Sequence, residues 1–125
     1  MDSIKETMDM KRWAVVGATD KKDRFGYKIV KKLKDSGYQV FPVSPKLNEI
    51  EGLKCYASIS DIDEKIDVVD MVVNPRIGIK VMEEIKEKNI QYVWLQPGTR
   101  SEEIKDFAEK GDISIIEDCI YARLG

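Results

Sequence analysis

The chain has 125 residues, enough for one hydrophobic core and one domain. Hydrophobic residues make up 42% and charged residues 35%, a globular composition that excludes wholesale disorder. A net charge of −2, no histidine and two cysteines far apart argue against a general nucleic-acid role, His-based acid–base chemistry, phosphohistidine, a metal site and a disulfide framework.

Met1 to Lys11 read as a short leading helix, with Ser3 and Glu6 at capping-box spacing. Trp13 to Val16 form a buried strand that ends at Gly17, and the polar loop Ala18 to Phe25 follows. Gly26 to Ser36 are predicted as a helix with Tyr27, Val30 and Leu33 on one face and Gly37 as its stop. Gln39 to Val43 form the second strand, closed by Ser44-Pro45. Leu47 to Ile59 show no clean period, with a short extended piece at Cys55-Tyr56, and Ser60 to Lys65 form one helical turn.

Val68 to Val73 form the third strand, whose apolar run suits burial on both faces. Asn74-Pro75 punctuate it, and Ile77 to Lys88 are a helix with Val81, Met82 and Ile85 inward. Tyr92 to Leu95 are the fourth strand, ending in Gln96-Pro97-Gly98. Ser101 caps a helix with Glu102 and Glu103 in its first turn and Gly111 at its end. Ile113 to Ile116 are the fifth strand, before Asp118-Cys119-Ile120.

Strict alternation of strands and helices predicts an α/β fold, a five-stranded parallel sheet with helices on both faces. Ligands of such sheets bind outside the carboxyl ends of the strands, where the strand order reverses. No apolar run is long enough to span a membrane, and a cytoplasmic location is the expectation.

Lys21, Lys22, Arg24, Lys28, Lys31, Lys32, Lys34 and Lys46 crowd one third of the chain. Most suit a solvated helix face, and a local anion site is also open. The loop Gly17 to Gly26 lets the backbone turn sharply and opens a helix whose amides favour a phosphate, with Thr19, Lys21, Lys22 and Arg24 as further donors. A turn glycine flanked by solvated charges fits the same residues equally well. The loop does not match G-x-G-x-x-G.

NAD-binding domains usually carry an acid after the second strand, to hold the ribose hydroxyls. Here Val43-Ser44-Pro45-Lys46 stand instead. The missing acid argues against NAD, and the lysine suits a phosphate on the ribose, as in coenzyme A or NADP. Asn74-Pro75-Arg76 fit a strand stop. Gln96 points either into a site or into a satisfied turn. Cys119 is either a small buried side chain or a thiol facing a thiol cofactor.

The segments Ala14-Val-Val-Gly-Ala18 with Arg24, Gly37 to Lys46, Gly52 to Tyr56, Asp67-Val-Val-Asp70, Val93 to Gly98 and Asp118-Cys119-Ile120 together resemble the CoA-binding domain family of small bacterial and archaeal proteins. The resemblance runs from Arg12 to Ile120. It implies a Rossmann-like domain with strand order 3-2-1-4-5 and coenzyme A across the strand ends. It implies a pyrophosphate near Gly17, Thr19 and Arg24, and nucleotide contacts from Ser44, Pro45, Lys46 and the end of strand three; Ala18, Gly26, Val73, Asn74 and Pro75 belong to the expected cofactor site with them. Gln96, Pro97, Gly98 and Cys119 complete the expected site. Many relatives carry Phe-Arg at the end of strand three, where this chain has Val73-Asn74-Pro75-Arg76, and that departure bears on the adenine contacts.

The same domain opens the α subunit of succinyl-CoA synthetase and the NDP-forming acyl-CoA synthetases, which use a phosphohistidine from a further domain. The expectation is therefore a module that binds coenzyme A or acyl-CoA without catalysis of its own, as carrier, sensor or regulator. An NAD(P)-binding enzyme or subunit on the same fold is the alternative. A homodimer and a partner enzyme subunit are both open. A receiver-type signalling domain is set aside, because Gly17-Ala18-Thr19 and Asn74-Pro75 stand where its acids belong.

Overall fold

The computed structural model describes residues 3–125. Met1 and Asp2, the start of the expected leading helix, lie outside the described residues. That helix is α1 (Ser3–Met8), with Ser3 already inside it.

Five parallel strands form the main sheet: β1 (Arg12–Val16), β2 (Gln39–Val43), β5 (Val68–Met71), β6 (Tyr92–Leu95) and β7 (Ser114–Ile116). Their order is β2-β1-β5-β6-β7. Counting only these five, the order is 2-1-3-4-5 and not 3-2-1-4-5. The implied order sets the third strand, Val68 to Val73, outside β2; it lies instead beside β1 as β5, and the outer edge of β2 carries only a parallel bridge, Val43 to Tyr56. Tyr56 N–H donates to Pro42 O and Ser44 N–H to Tyr56 O, so the 55–56 segment covers β2's outer edge without forming a full strand. An edge position also tolerates Pro42, which has no N–H to give. The stretch without a clean period contains a two-stranded antiparallel hairpin, β3 (Glu49–Ile50) with β4 (Leu53–Lys54).

Strand periodicity divides the core in two. Ala14, Val16, Val69, Met71, Val93 and Leu95 face one side, covered by α3 (Pro75–Glu87) and α4 (Glu102–Lys110). Trp13, Val15, Val68 and Trp94 face the other, covered by α2 (Phe25–Asp35) and Ile120 of α5 (Ile120–Arg123). Ile4 and Met8 of α1 pack there as well. The predicted inward residues of α2 and α3 are all buried.

Helix α3 starts two residues earlier than the spacing predicts. Asn74 Oδ1 accepts from Ile77 N–H, and Pro75 occupies the first turn, where its missing N–H costs nothing. The Ser60–Lys65 turn is a 3-10 turn at Ile59–Asp61. Among the described residues, no helix is long and apolar enough to cross a membrane.

Candidate functional site at the carboxyl edge of the sheet

The strand order reverses between β1 and β5, with β2 on one side of β1 and β6 on the far side of β5. Two cavities open there, one on each face of the sheet, and both touch Gly17 and Ser44.

The first, about 490 Å³, is polar and lies toward α2. Thr19, Lys21, Arg24 and Gly26 border it from the first loop, Lys46 from the turn after β2, and Val72 from the end of β5. Lys21, Arg24 and Lys46 are exposed and outnumber the one acid in the lining, Asp20. Arg24 is the N-cap of α2, and no side chain caps the helix there. The first-turn amides and the positive end of the helix dipole therefore face a cleft that already carries cations.

Gly17 and Gly26 make this geometry possible. Gly17 sits at φ +98°, and a Cβ on it would stand 2.6 Å from Val72 O. A Cβ on Gly26 would stand 2.1 Å from Gly17 O. The glycines let β1, β5 and α2 meet backbone to backbone. That accounts for the two glycines as much as any approach to a ligand.

The second cavity, about 320 Å³, is mainly apolar and lies toward α3. Val43, Pro45, Ile59, Val73, Ile77 and Val81 form most of its wall, with Ala18 beside them. Ile77 is 47% exposed, unusual for a large aliphatic side chain in the first turn of a helix. Ser58, Lys80 and Glu84 supply polar groups at its rim. Glu84 is held by the N–H and hydroxyl of Ser60, at 3.0 and 2.8 Å.

Nine of the residues expected in the site therefore line one cavity or the other: Gly17, Ala18, Thr19, Arg24, Gly26, Ser44, Pro45, Lys46 and Val73. Asn74 and Pro75 instead build the start of α3. Gln96 is buried and donates to Asp70 Oδ1 at 2.6 Å, so the satisfied turn is its place. Pro97 and Gly98 are exposed in that turn, and Gly98 supplies φ +94°. Cys119 is half-buried, borders neither cavity, and precedes α5. Its N–H donates to Asp118 Oδ1, whose carboxylate is held below its usual range by Arg123. Cys55 is buried, and burial pushes its thiol up.

Phe25, Ile77, Lys80 and Glu84 border the cavities without having been singled out from the sequence. Exposed apolar residues in the first turns of two helices beside a strand end were the available signal. Asp70 was also missed. It is fully buried in β5, and burial pushes its carboxyl up to about 7.

A family model described as CoA binding domain matches residues 11–124. The chain belongs to the CoA-binding domain family. Among its relatives, the uncharacterized protein YneT of Bacillus subtilis (strain 168) is 36% identical over 119 residues, covering 94% of this chain and 88% of that protein. The ADP-forming acetate–CoA ligase of Methanocaldococcus jannaschii is 34% identical over 111 residues. That alignment takes in 82% of this chain and only 16% of the ligase. A solved structure, a conserved hypothetical protein from Pyrococcus furiosus, superposes with a TM-score of 0.87 at 38% identity, covering 91% of this chain and 99% of that one.

Proposed function

We propose that this chain binds coenzyme A, free or acylated, across the two adjoining cavities. The observation that carries the reading is their pairing: a basic cleft and an apolar cavity share Gly17 and Ser44 at the point where the strand order reverses. A nucleotide with a polyphosphate needs that combination. The pyrophosphate sits against Thr19, Arg24 and the uncapped first turn of α2. The adenine enters the apolar side between Pro45, Val73 and Ile77. Lys46, on the rim beside Ser44, reads the 3′-phosphate.

No acid follows β2, so the ribose hydroxyl contact of an NAD site has no acceptor there. That favours coenzyme A over NAD. The part of the chain that aligns with the Methanocaldococcus ligase spans 16% of that enzyme, and the residues at the cavities include no nucleophile–base pair. We assign the chain a binding role as carrier, sensor or regulator, with catalysis left to a partner.

Calorimetry with coenzyme A and with NAD tests the reading. Tighter binding of coenzyme A supports it, and NAD binding as tight as coenzyme A overturns it.

A further inference from the structure

Beneath the cleft, the turn after β6 grips the carboxyl end of β5. Gln96 N–H donates to Met71 O at 3.2 Å. The Thr99 hydroxyl lies 3.1 Å from Met71 O and 2.6 Å from Val73 O. The Gln96 side-chain amide completes the grip on Asp70 Oδ1. The strand end so held forms a wall of the site on both sides, because Val72 borders the polar cleft and Val73 the apolar cavity. It also seats Gly17, which has no room against Val72 O.

The remaining Asp70 oxygen, Oδ2, is buried without a hydrogen-bond partner among the described residues. An unpartnered carboxylate oxygen in an apolar interior is far more costly than a neutral acid. Asp70 shares its face of the sheet with its register neighbours Val15 and Trp94. Tyr27, Tyr38, Cys55 and Tyr92 are the titratable members of the cluster packed there. The Tyr27 hydroxyl is engaged by Glu51, that of Tyr92 by Glu6, and that of Tyr38 by Met8 O. Ahead of α5, Asp118 is paired with Arg123. None of these acts on Asp70: burial raises its pKa, and the Gln96 hydrogen bond is the counterweight.

We propose that Asp70 is a proton-linked positioning residue of the ligand cleft. As the neutral acid it keeps the turn clamped on β5. As the carboxylate it draws water to Oδ2 between the turn and β5, which takes the Gln96 N–H and the Thr99 hydroxyl off the strand-end carbonyls and loosens Val72 and Val73 against Gly17, while the Gln96 side-chain amide stays on Oδ1. A polyanionic ligand at Gly17 also repels the carboxylate. Both effects make ligand binding take up one proton from solvent at Asp70, and the coupling is reciprocal. This rests on the coenzyme A reading for the ligand, while the clamp stands apart from it.

Two measurements test the proposal. In the ligand-free protein, the Gly17, Val72 and Val73 amide resonances should titrate together with the Asp70 carboxyl carbon, and should hold still in Asp70→Asn. Amides that ignore the Asp70 titration overturn the proposal whether or not coenzyme A binds. In calorimetry across buffers of different ionisation enthalpy, wild type should take up a proton with coenzyme A above pH 7 that Asp70→Asn does not. Its affinity should fall by up to about tenfold per pH unit there, while the variant keeps only the slope of the ligand's own phosphate, which titrates near about 6. Equal pH profiles in the two proteins also overturn it. If wild type binds no coenzyme A at any pH, the functional reading fails, and the amide titration still decides the clamp. Should Asp70→Asn not fold, the wild-type titration alone decides it.

Discussion

The α-carbon of Gly26 faces the carbonyl oxygen of Gly17 so closely that an added Cβ would stand 2.1 Å from it. The obstacle is backbone and cannot swing aside. Gly26→Ala should therefore push the start of α2 away from the first loop and cost about 1–3 kcal/mol, the usual range for overpacking. Coenzyme A affinity should fall further than stability does, because the displaced amides are the proposed pyrophosphate donors. Gly37→Ala is the control. Gly37 lies in the left-handed region, at φ +90°, with open space around its Cβ position, and it stands at the far end of α2 from the cleft. That variant should lose stability with little change in affinity. Thermal melting and calorimetry on both variants check the contrast.

The alternation of strands and helices was legible because each strand is a short apolar run and the stops are local: Gly17 and Asn74-Pro75 after strands, and Gly37 and Gly111 after helices, act within a residue or two. The β3–β4 hairpin and α5 were not legible, since two-residue strands and a four-residue helix are too short to show a period. The first loop and Ser44 to Lys46 were legible as cavity-lining residues from their place after strands. Gln96 was ambiguous because its partner, Asp70, is 26 residues away and lies in a run otherwise apolar. An acid in the middle of a buried strand requires a partner, and the amide just past the neighbouring strand was the nearest candidate. The apolar cavity drew on Ile77, Lys80 and Glu84 of α3, whose helical spacing shows one shared face but not what it borders.

Asp70 should set the pH dependence of stability. Its folded pKa, about 7, lies above the unfolded value of about 3.9. The folded state therefore binds more protons between those values. Stability contributed by this group is fully present below about pH 4 and is lost as pH rises to 7, by up to roughly 4 kcal/mol. Asp70→Asn cannot ionise and can still accept from Gln96. Urea unfolding from about pH 4.5 to 8 should show the variant gaining on wild type as pH rises. A constant difference across that range would mean that Asp70 is already ionised in the folded state at about pH 4.5.

Thr7 ties the leading helix to the sheet. Its Oγ1 accepts from Trp94 Nε1–H at 2.9 Å and lies 2.8 Å from Ser3 O. Both Thr7 and Trp94 are fully buried. Thr7→Val keeps the shape and strands the indole N–H, which should cost about 1–3 kcal/mol. Thr7→Ser should keep most of that stability, because the hydroxyl survives. Melting temperatures of the three proteins check this.

Lys46 gives the sharpest test of which nucleotide the site takes. It is exposed at the rim of the basic cleft, and its N–H lies 3.4 Å from Ser44 Oγ, so its ammonium is free to reach a phosphate on a ribose held at Ser44. Coenzyme A carries that phosphate and dephospho-coenzyme A does not. In wild type, dephospho-coenzyme A should bind more weakly by one charge-assisted hydrogen bond, about 1.5–3 kcal/mol or roughly ten- to a hundredfold. Exposure and salt should pull the value toward the low end. Lys46→Ala should weaken coenzyme A alone and bring the two ligands together. Lys46→Arg should keep the preference, since a guanidinium also pairs with phosphate. If Lys46→Ala weakens both ligands equally, the lysine acts on the pyrophosphate instead. If it weakens neither, Lys21 or Arg24 carries the anion contact.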